Sequence, residues 1–340
     1  MHAWYCDTLS GPEGLVWDER PTPEPGPGEV RVRVKAASLN FPDILIVQGK
    51  YQFKPALPFV PGAEFAGIID ALGEGVQGLA VGMPVAALGG TGGFGSHALV
   101  NAAQVMPLPP GFALTDAAAF AFTYGTVHHG LIDRGQLRAG ETVLVLGAAG
   151  GIGTAAIQVA KAAGATVIAA ASTDEKCAVC RAQGADHVLN YGAGGVESAA
   201  ALRDALKAVT GGRGVDVVLD PVGGALAEAA FRSIAWRGRY LVVGFADGQI
   251  PALPWNLPLL KGASIVGVFW GDFVRREPAA NARMLGELAQ WYGQGRIRPV
   301  IDQVLPLGRL AEAYARVAGR QVLGKMVVVP DGEAGEAGAT

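Results

Sequence analysis

The stretch from Val143 to Gly153 constrains this chain more than any other. Four apolar residues, Val143 to Leu146, run straight into Gly147-Ala148-Ala149-Gly150-Gly151-Ile152-Gly153. Thr154 to Ala163 then reads as an alanine-rich helix with no internal Gly or Pro. A buried parallel strand, a glycine turn and a helix in that order form the setting in which a dinucleotide pyrophosphate meets a helix N-terminus. The spacing is near G-x-G-x-x-G, with Ala148 where the first Gly would stand, followed by Gly150 and Gly153. Its place between strand and helix lifts it above a glycine-rich turn in an ordinary α/β unit.

Regular alternation follows. Thr166 to Ala171, Asp186 to Tyr191, Val215 to Leu219, Arg239 to Gly244 and Ser264 to Val268 read as strands. Thr173 to Gly184, Ser198 to Thr210 and Ala225 to Ala235 read as helices between them. Strands separated by helices predict a doubly wound parallel sheet of about six strands. The chain ahead of this region reads differently. Pro21 to Gly28 is a stiff extended connector. Val30, Val32 and Val34 alternate with Arg31, Arg33 and Lys35, a strand with one dry and one charged face. Phe65 to Leu72 and Val81 to Leu88 read as further strands, and Gly/Pro corners between short strands suggest a small barrel. Thr115 to Phe122 is predicted as a helix with Thr115 as its N-cap. Ala279 to Trp291 and Leu310 to Val317 are predicted helices, Met326 to Val329 is a closing strand, and Asp331 to Thr340 is a frayed tail.

Composition narrows the function. Half of the 340 residues are hydrophobic and 17% are charged, enough for large cores in two domains. A net charge of -3 leaves no basic footprint for nucleic acid. No apolar run reaches membrane-spanning length, and Met1 to Asp7 has no charged-then-apolar leader. Three cysteines cannot form a full disulfide framework, which fits a reducing cytoplasm. Cys177 and Cys180 have C-x-x-C spacing but fall on a predicted helix with no second ligand pair, so they read as ordinary helix residues.

The words Asn40-Phe41-Pro42-Asp43, Pro61-Gly62-Ala63-Glu64, Gly147 to Gly153, Asp220-Pro221-Val222-Gly223-Gly224 and Leu323-Gly324-Lys325 occur in this order over nearly the whole chain. With them the chain resembles the medium-chain dehydrogenase/reductase superfamily, and within it the zinc-independent NADPH:quinone oxidoreductase group. The resemblance implies a GroES-like catalytic domain made from 1–122 and 270–330, flanking a Rossmann domain at 123–269, with 331–340 a disordered tail. It also implies a homodimer paired through the edge of the Rossmann sheet, for which the apolar run Ser264 to Val268 would serve. In zinc-using relatives Cys, His and Cys or Asp hold a catalytic ion. Here Asn40 stands at the first thiolate position and Ala63 where the His would be, so no zinc is expected. Adjacent His128 and His129 on one helix would diverge by about 100° and could not easily share an ion. His97 has no co-ligand in reach.

NAD sites place an acid at the end of the second strand, on the ribose hydroxyls. Here that strand ends Ala171-Ser172-Thr173, without an acid at its tip. Lys176 and Tyr191 resemble positions that hold a 2′-phosphate in quinone oxidoreductases, which makes NADPH the expected cofactor. Asp174 would favour NADH if its helix began later. By resemblance, Thr123, Gly150, Gly151, Ile152, Ser172, Gly244, Phe245, Phe269, Trp270, Gly271 and Lys325 also line the cofactor. Tyr51 resembles the active-site tyrosine that donates to a developing oxyanion. Asn40 would offer amide donor and acceptor to the carboxamide or substrate, and Asp43 would pin the loop. Without zinc to polarise a carbonyl, the implied acceptor is a quinone or an α,β-unsaturated carbonyl. The alternatives are an enoyl-thioester or alkenal reductase, a cofactor-binding scaffold with little turnover, and a metal-dependent alcohol dehydrogenase.

Overall fold

The computed structural model describes residues 1–192, 195 and 198–331. The chain forms two compact units: Met1–Phe122 joined by the segment from Ile301 onward, and Thr123–Val300. The first unit opens with the antiparallel pair β1 (His2–Cys6) and β2 (Leu15–Glu19), then β3 (Glu29–Leu39), β4 (Glu64–Leu72), β5 (Pro84–Ala87), β6 (His97–Asn101) and β7 (Val105–Pro107). The second contributes β8 (Thr142–Val145), β9 (Thr166–Ala171), β10 (His187–Asn190), β11 (Val215–Asp220), β12 (Ile234–Val242) and β13 (Ser264–Gly267). The chain then returns to the first unit with β14 (Ile301–Pro306) and β15 (Lys325–Val329).

The first unit is organised around β3. Val30, Val32 and Val34 are buried while Arg31 and Arg33 are not, as the alternation predicts. One edge of β3 pairs with β4. The other is shared, Glu29–Arg33 taking β6 and Ala37–Leu39 taking β15. The resulting sheet runs β14-β15-β3-β4-β5-β7, with β6 off that path. The predicted helix Thr115–Phe122 is corrected. A helix spans Leu114–Ala118 with Ala113 at its N-cap and no side-chain cap, it breaks at Ala119, and a second helix spans Ala121–His128. Its alanines Ala117–Ala119 pack on Ala36, Ala66 and Ala86 of the sheet. That close packing sets its position, so Thr115 does not cap it.

The second unit is a parallel sheet ordered β10-β9-β8-β11-β12-β13. Numbered within the unit, this is the 3-2-1-4-5-6 order of a dinucleotide-binding fold, whose ligand crevice lies at the carboxyl ends of β8 and β11, where the strand order reverses. All of β8 is buried, as a strand covered on both faces must be. β12 begins earlier than its sequence suggests, at Ile234, and the preceding helix stops at Arg232. Arg237 takes a positive φ of 61° within that strand, and its ladder with β11 shifts register.

The chain returns to the first unit at Ile301, not at residue 270. Helices Trp270–Arg276 and Pro278–Gly293 group with the parallel sheet because Trp270 fastens them there. Its indole N–H donates to Asn281 Oδ1 at 3.1 Å, and its ring lies where a Cβ on Gly125 would come within 2.5 Å. The tail expected to fray is 331–340, of which 332–340 lie outside the described residues. Among the described residues no helix is long and apolar enough to cross a membrane.

The turn after β8 is set by close contact. Gly147 has a φ of 60°, and a Cβ on Gly153 would collide with the Ala148 backbone. Gly153→Ala therefore sets a helix-propensity gain of about 1 kcal/mol against an overpacking cost of about 1–3 kcal/mol. The backbone atoms it would meet cannot rotate away, so the cost should win. Urea denaturation should show a lower midpoint; an unchanged or raised midpoint would contradict this packing.

Candidate active site

In the first unit, Asn40 ends the run from β3 and precedes the helix Phe41–Val47. Its side chain is buried and its amide is spoken for. Lys325 Nζ lies 2.5 Å from Asn40 Oδ1, and Asn40 Nδ2 donates to Glu64 Oε2 at 3.2 Å. An ammonium only donates and a carboxylate only accepts, so one amide orientation satisfies both neighbours. This revises the expectation that Asn40 offers donor and acceptor alike. Its oxygen is taken by Lys325 and one N–H by Glu64, which leaves one N–H.

Glu64, on β4, is the hub. Its Oε2 accepts from Ser38 Oγ at 2.8 Å and lies 3.6 Å from Lys325 Nζ, and its Oε1 accepts the Phe122 N–H at 2.8 Å. Lys325 also donates to the Leu39 carbonyl at 3.3 Å. Burial pulls the lysine's pKa down, opposed by the Glu64 and Asp43 charges. Asp43 pins the loop as its sequence position suggests: Oδ2 accepts the Asn40 N–H at 2.8 Å and Oδ1 accepts the Ala63 N–H at 3.0 Å. Tyr51 is half-buried against the same core, and burial together with the Asp43 charge raises its pKa, so the phenol keeps its proton. Sequence reasoning missed Ser38 and Glu64 as amide-orienting groups, although the Ala63-Glu64 word carried the signal.

In the second unit the glycine turn leads from β8 into a helix. Gly150 is the N-cap of the helix Gly151–Ala162 and supplies no side chain to cap it. A Cβ on Gly150 would meet only the Gly147 carbonyl, at 3.6 Å. The Gly150 N–H bonds the Gly147 carbonyl at 3.1 Å, so the N–H groups at this helix start that suit an anion are those of Gly151 and Ile152. The turn is held from β11. Asp220 Oδ1 accepts the N–H groups of Val222 and Gly223 at 2.8 Å each, its Oδ2 accepts the Tyr240 hydroxyl at 2.6 Å, and Val222 Cγ2 lies 2.7 Å from where Gly147 would carry a Cβ. At the tip of β9, Lys176 Nζ lies 3.2 Å from Ser172 Oγ. The next helix starts at Asp174, with Thr173 as its N-cap. Gly244 follows β12 and its N–H bonds the Asp220 carbonyl at 3.3 Å. Phe245 and Phe269 are exposed, Thr123 is buried and Gly271 lies one residue into its helix. Trp270 is buried, with its N–H spent on Asn281. The structure thus joins Asn40 with Lys325, and Ser172 with Lys176. Tyr191 follows β10 directly.

A structural zinc or catalytic zinc takes sulfur, imidazole or carboxylate donors in a tetrahedron. Ser38, Asn40, Asp43 and Glu64 offer neither sulfur nor imidazole, and the Lys325 ammonium sits among them; this donor set does not fit zinc. His128 Nε2 faces Glu287 at 3.2 Å, while His129 Nδ1 faces Asp133 at 2.8 Å from the π-helical turn His129–Arg134, so the two rings serve different partners. His97 Nε2 pairs with Asp70 at 3.3 Å on β6. Cys177 and Cys180 are buried in the helix Asp174–Ala182, and burial pushes the Cys180 thiol up to about 12.

Asp43 generates a pH prediction. Burial raises its pKa from 3.8 to about 6 despite two N–H donors and Lys325. The folded state then binds more protons than the unfolded chain between about pH 4 and 6. This group's contribution to stability therefore falls as pH rises through that window, by up to about 3 kcal/mol. The unfolding free energy of wild type minus Asp43→Asn should fall from pH 4 to pH 7. A flat difference would contradict the burial of this carboxylate.

Known proteins match this arrangement. Residues 26–110 match the alcohol dehydrogenase GroES-like domain, and residues 151–287 match the zinc-binding dehydrogenase domain. Quinone oxidoreductase-like protein 2 of Bos taurus is 39% identical over 85% of this chain and 82% of its own length. The quinone oxidoreductase of Thermus thermophilus, solved also in complex with NADPH, is 36% identical with a TM-score of 0.82, covering 97% of this chain and 100% of that one. A mycobacterial protein solved in complex with NADPH is 28% identical with a TM-score of 0.90, at 97% and 100% coverage. A parallel sheet in dinucleotide-binding order, a GroES-like unit built from both chain ends and relatives of this identity and coverage place the chain in the medium-chain dehydrogenase/reductase family, as an oxidoreductase of the quinone oxidoreductase-like kind.

Proposed function

We propose that this protein is an NADPH-dependent reductase that acts on quinones or α,β-unsaturated carbonyls without a metal. The observation that carries the reading is the fixed Asn40 amide. Lys325 and Glu64 hold its two ends, no zinc-like donor set surrounds it among the described residues, and a neutral phenol at Tyr51 packs on the first unit's core. NADPH, when bound, supplies a hydride to the electrophilic carbon of the acceptor. The N–H groups at Gly151 and Ile152 suit its pyrophosphate, with Gly150 closing the turn ahead of them. Ser172, Lys176 and Tyr191 suit the 2′-phosphate, while Thr123, Gly244, Phe245, Phe269, Trp270 and Gly271 are assigned to the rest of the cofactor by resemblance. Both NADPH-bound relatives support this choice.

The acceptor's oxygen gains negative charge as hydride arrives. The Tyr51 phenol and the remaining Asn40 N–H are assigned to donate to it. Lys325 pulls electron density from the Asn40 oxygen and so strengthens that N–H as a donor. A quinone or an enone delocalises the charge and can react with this help alone. A simple ketone needs more. Purified protein should oxidise NADPH with members of a quinone and enone panel and leave simple ketones untouched, with chelator present throughout. Tyr51→Phe should lower kcat/KM by about 10²–10³-fold without changing NADPH affinity. Tight NADPH binding with no acceptor turned over would favour a scaffold role, and alcohol oxidation abolished by chelator would favour a metal enzyme.

The assembly proposed is a homodimer. Among the described residues β13 pairs on one edge, with β12, and Ile265 on it is 41% exposed. Trp255, Leu259 and Leu260 just before it are 83%, 78% and 69% exposed. An uncovered strand edge beside large apolar side chains is a pairing surface. Light scattering should give twice the chain mass for wild type and the chain mass for Ile265→Lys with Leu259→Lys. A monomeric wild type would rule the dimer out.

A further inference from the structure

The tip of β9 is where an acid would take the ribose hydroxyls and turn a 2′-phosphate away. The chain has an acid close by. Asp174 is the first residue of the helix that follows β9, just beyond Ser172 and the N-cap Thr173. Its carboxylate is directed elsewhere. Asp174 Oδ1 accepts from Asn190 Nδ2 at 2.8 Å. Asn190 is the last residue of β10, and its own Oδ1 accepts the Gly192 N–H at 2.9 Å. Each end of that amide has a partner of the right polarity, so its orientation is fixed. A flipped amide would set oxygen against carboxylate and NH₂ against N–H. The same helix also carries a cation to the strand tip: Lys176 Nζ sits 3.2 Å from Ser172 Oγ.

We infer that Asn190 determines cofactor specificity. By holding the Asp174 carboxylate toward the end of β10, it withholds an acid from the ribose and leaves the strand tip to Ser172 and Lys176, a hydroxyl and a cation that suit a 2′-phosphate. The inference rests on the NADPH reading and adds to it a residue that touches neither phosphate nor ribose in that role. Asn190 acts through Asp174, so removing it should matter only while Asp174 is present.

The test is a double-mutant cycle read as binding. Dissociation constants for NADPH and NADH are measured by quenching of the protein's tryptophan fluorescence. The proteins are wild type, Asn190→Ala, Asp174→Ala and the double variant. Asn190→Ala should reduce the preference for NADPH over NADH by roughly 3- to 10-fold, the worth of one hydrogen bond. In the Asp174→Ala background the same change should leave the preference where it was. Asn190→Ser keeps an acceptor for the Gly192 N–H but cannot reach Asp174, so it should behave like Asn190→Ala and guards against a collapsed turn. An unchanged preference in Asn190→Ala, or an equal shift in both backgrounds, overturns the inference, since Asn190 would then act only through the Gly192 turn. The wild-type constants test the underlying reading separately. A wild type without preference for NADPH overturns that reading and the inference with it.

Discussion

A lysine ammonium taken out of water must find partners or cost several kcal/mol. Lys325 is 5% exposed, and its partners lie more than 280 residues upstream at Leu39 and Asn40. Meeting that demand fastens β15 to β3 at the point where Met326 pairs with Leu39, and it brings Glu64 of β4 into the same cluster. The first unit is discontinuous in the chain, and this charge satisfaction occurs at its seam. Apolar burial along Val327 and Val328 supplies most of the driving force there, but is indifferent to register. The lysine is not. A slip by one residue would face the ammonium to the wrong side of the sheet.

The proposed chemistry is placed on the same cluster. Asn40 could rotate freely on a loop, yet here its amide is held between a cation and a carboxylate, with its own N–H bound by Asp43. A donor held before the reaction needs no reorganisation when charge develops on the acceptor. The stabilising contacts and the proposed functional geometry are therefore one set of bonds. Burial makes them sensitive: Asp43 is shifted upward because its desolvation outweighs two N–H donors and a nearby lysine.

The second unit solves a different problem. Its crevice is made of backbone, and backbone must be shaped by what packs behind it. Gly153 lets the helix press on the Ala148 peptide, and Asp220 with Tyr240 fixes the loop that carries Val222 against Gly147. The residues proposed to meet an anion there would do so through backbone N–H groups, not side chains. Their geometry is borrowed from β11 and β12, two strands further along the chain, which is why the Asp220-Pro221-Val222-Gly223-Gly224 word belongs with the glycine turn.

Local pattern was enough to read the parallel sheet, its strand count and the glycine turn, because burial on two faces and a 2-to-3.6 switch in period are written in Val143 to Ala163 and repeated after it. Short words also marked Asn40, Asp43 and Lys325. The family resemblance placed the return of the chain at residue 270, whereas Trp270 packs on Gly125 and Asn281 and the return comes at Ile301. Local pattern offered Thr115 as a cap where alanine packing on a sheet set the helix instead. Which end of Asn40 faces outward, and where Asp174 points, were settled by the fold alone. Both are fixed by partners distant in sequence, Lys325 and Asn190, and a hydrogen bond across such distances leaves no periodicity to read.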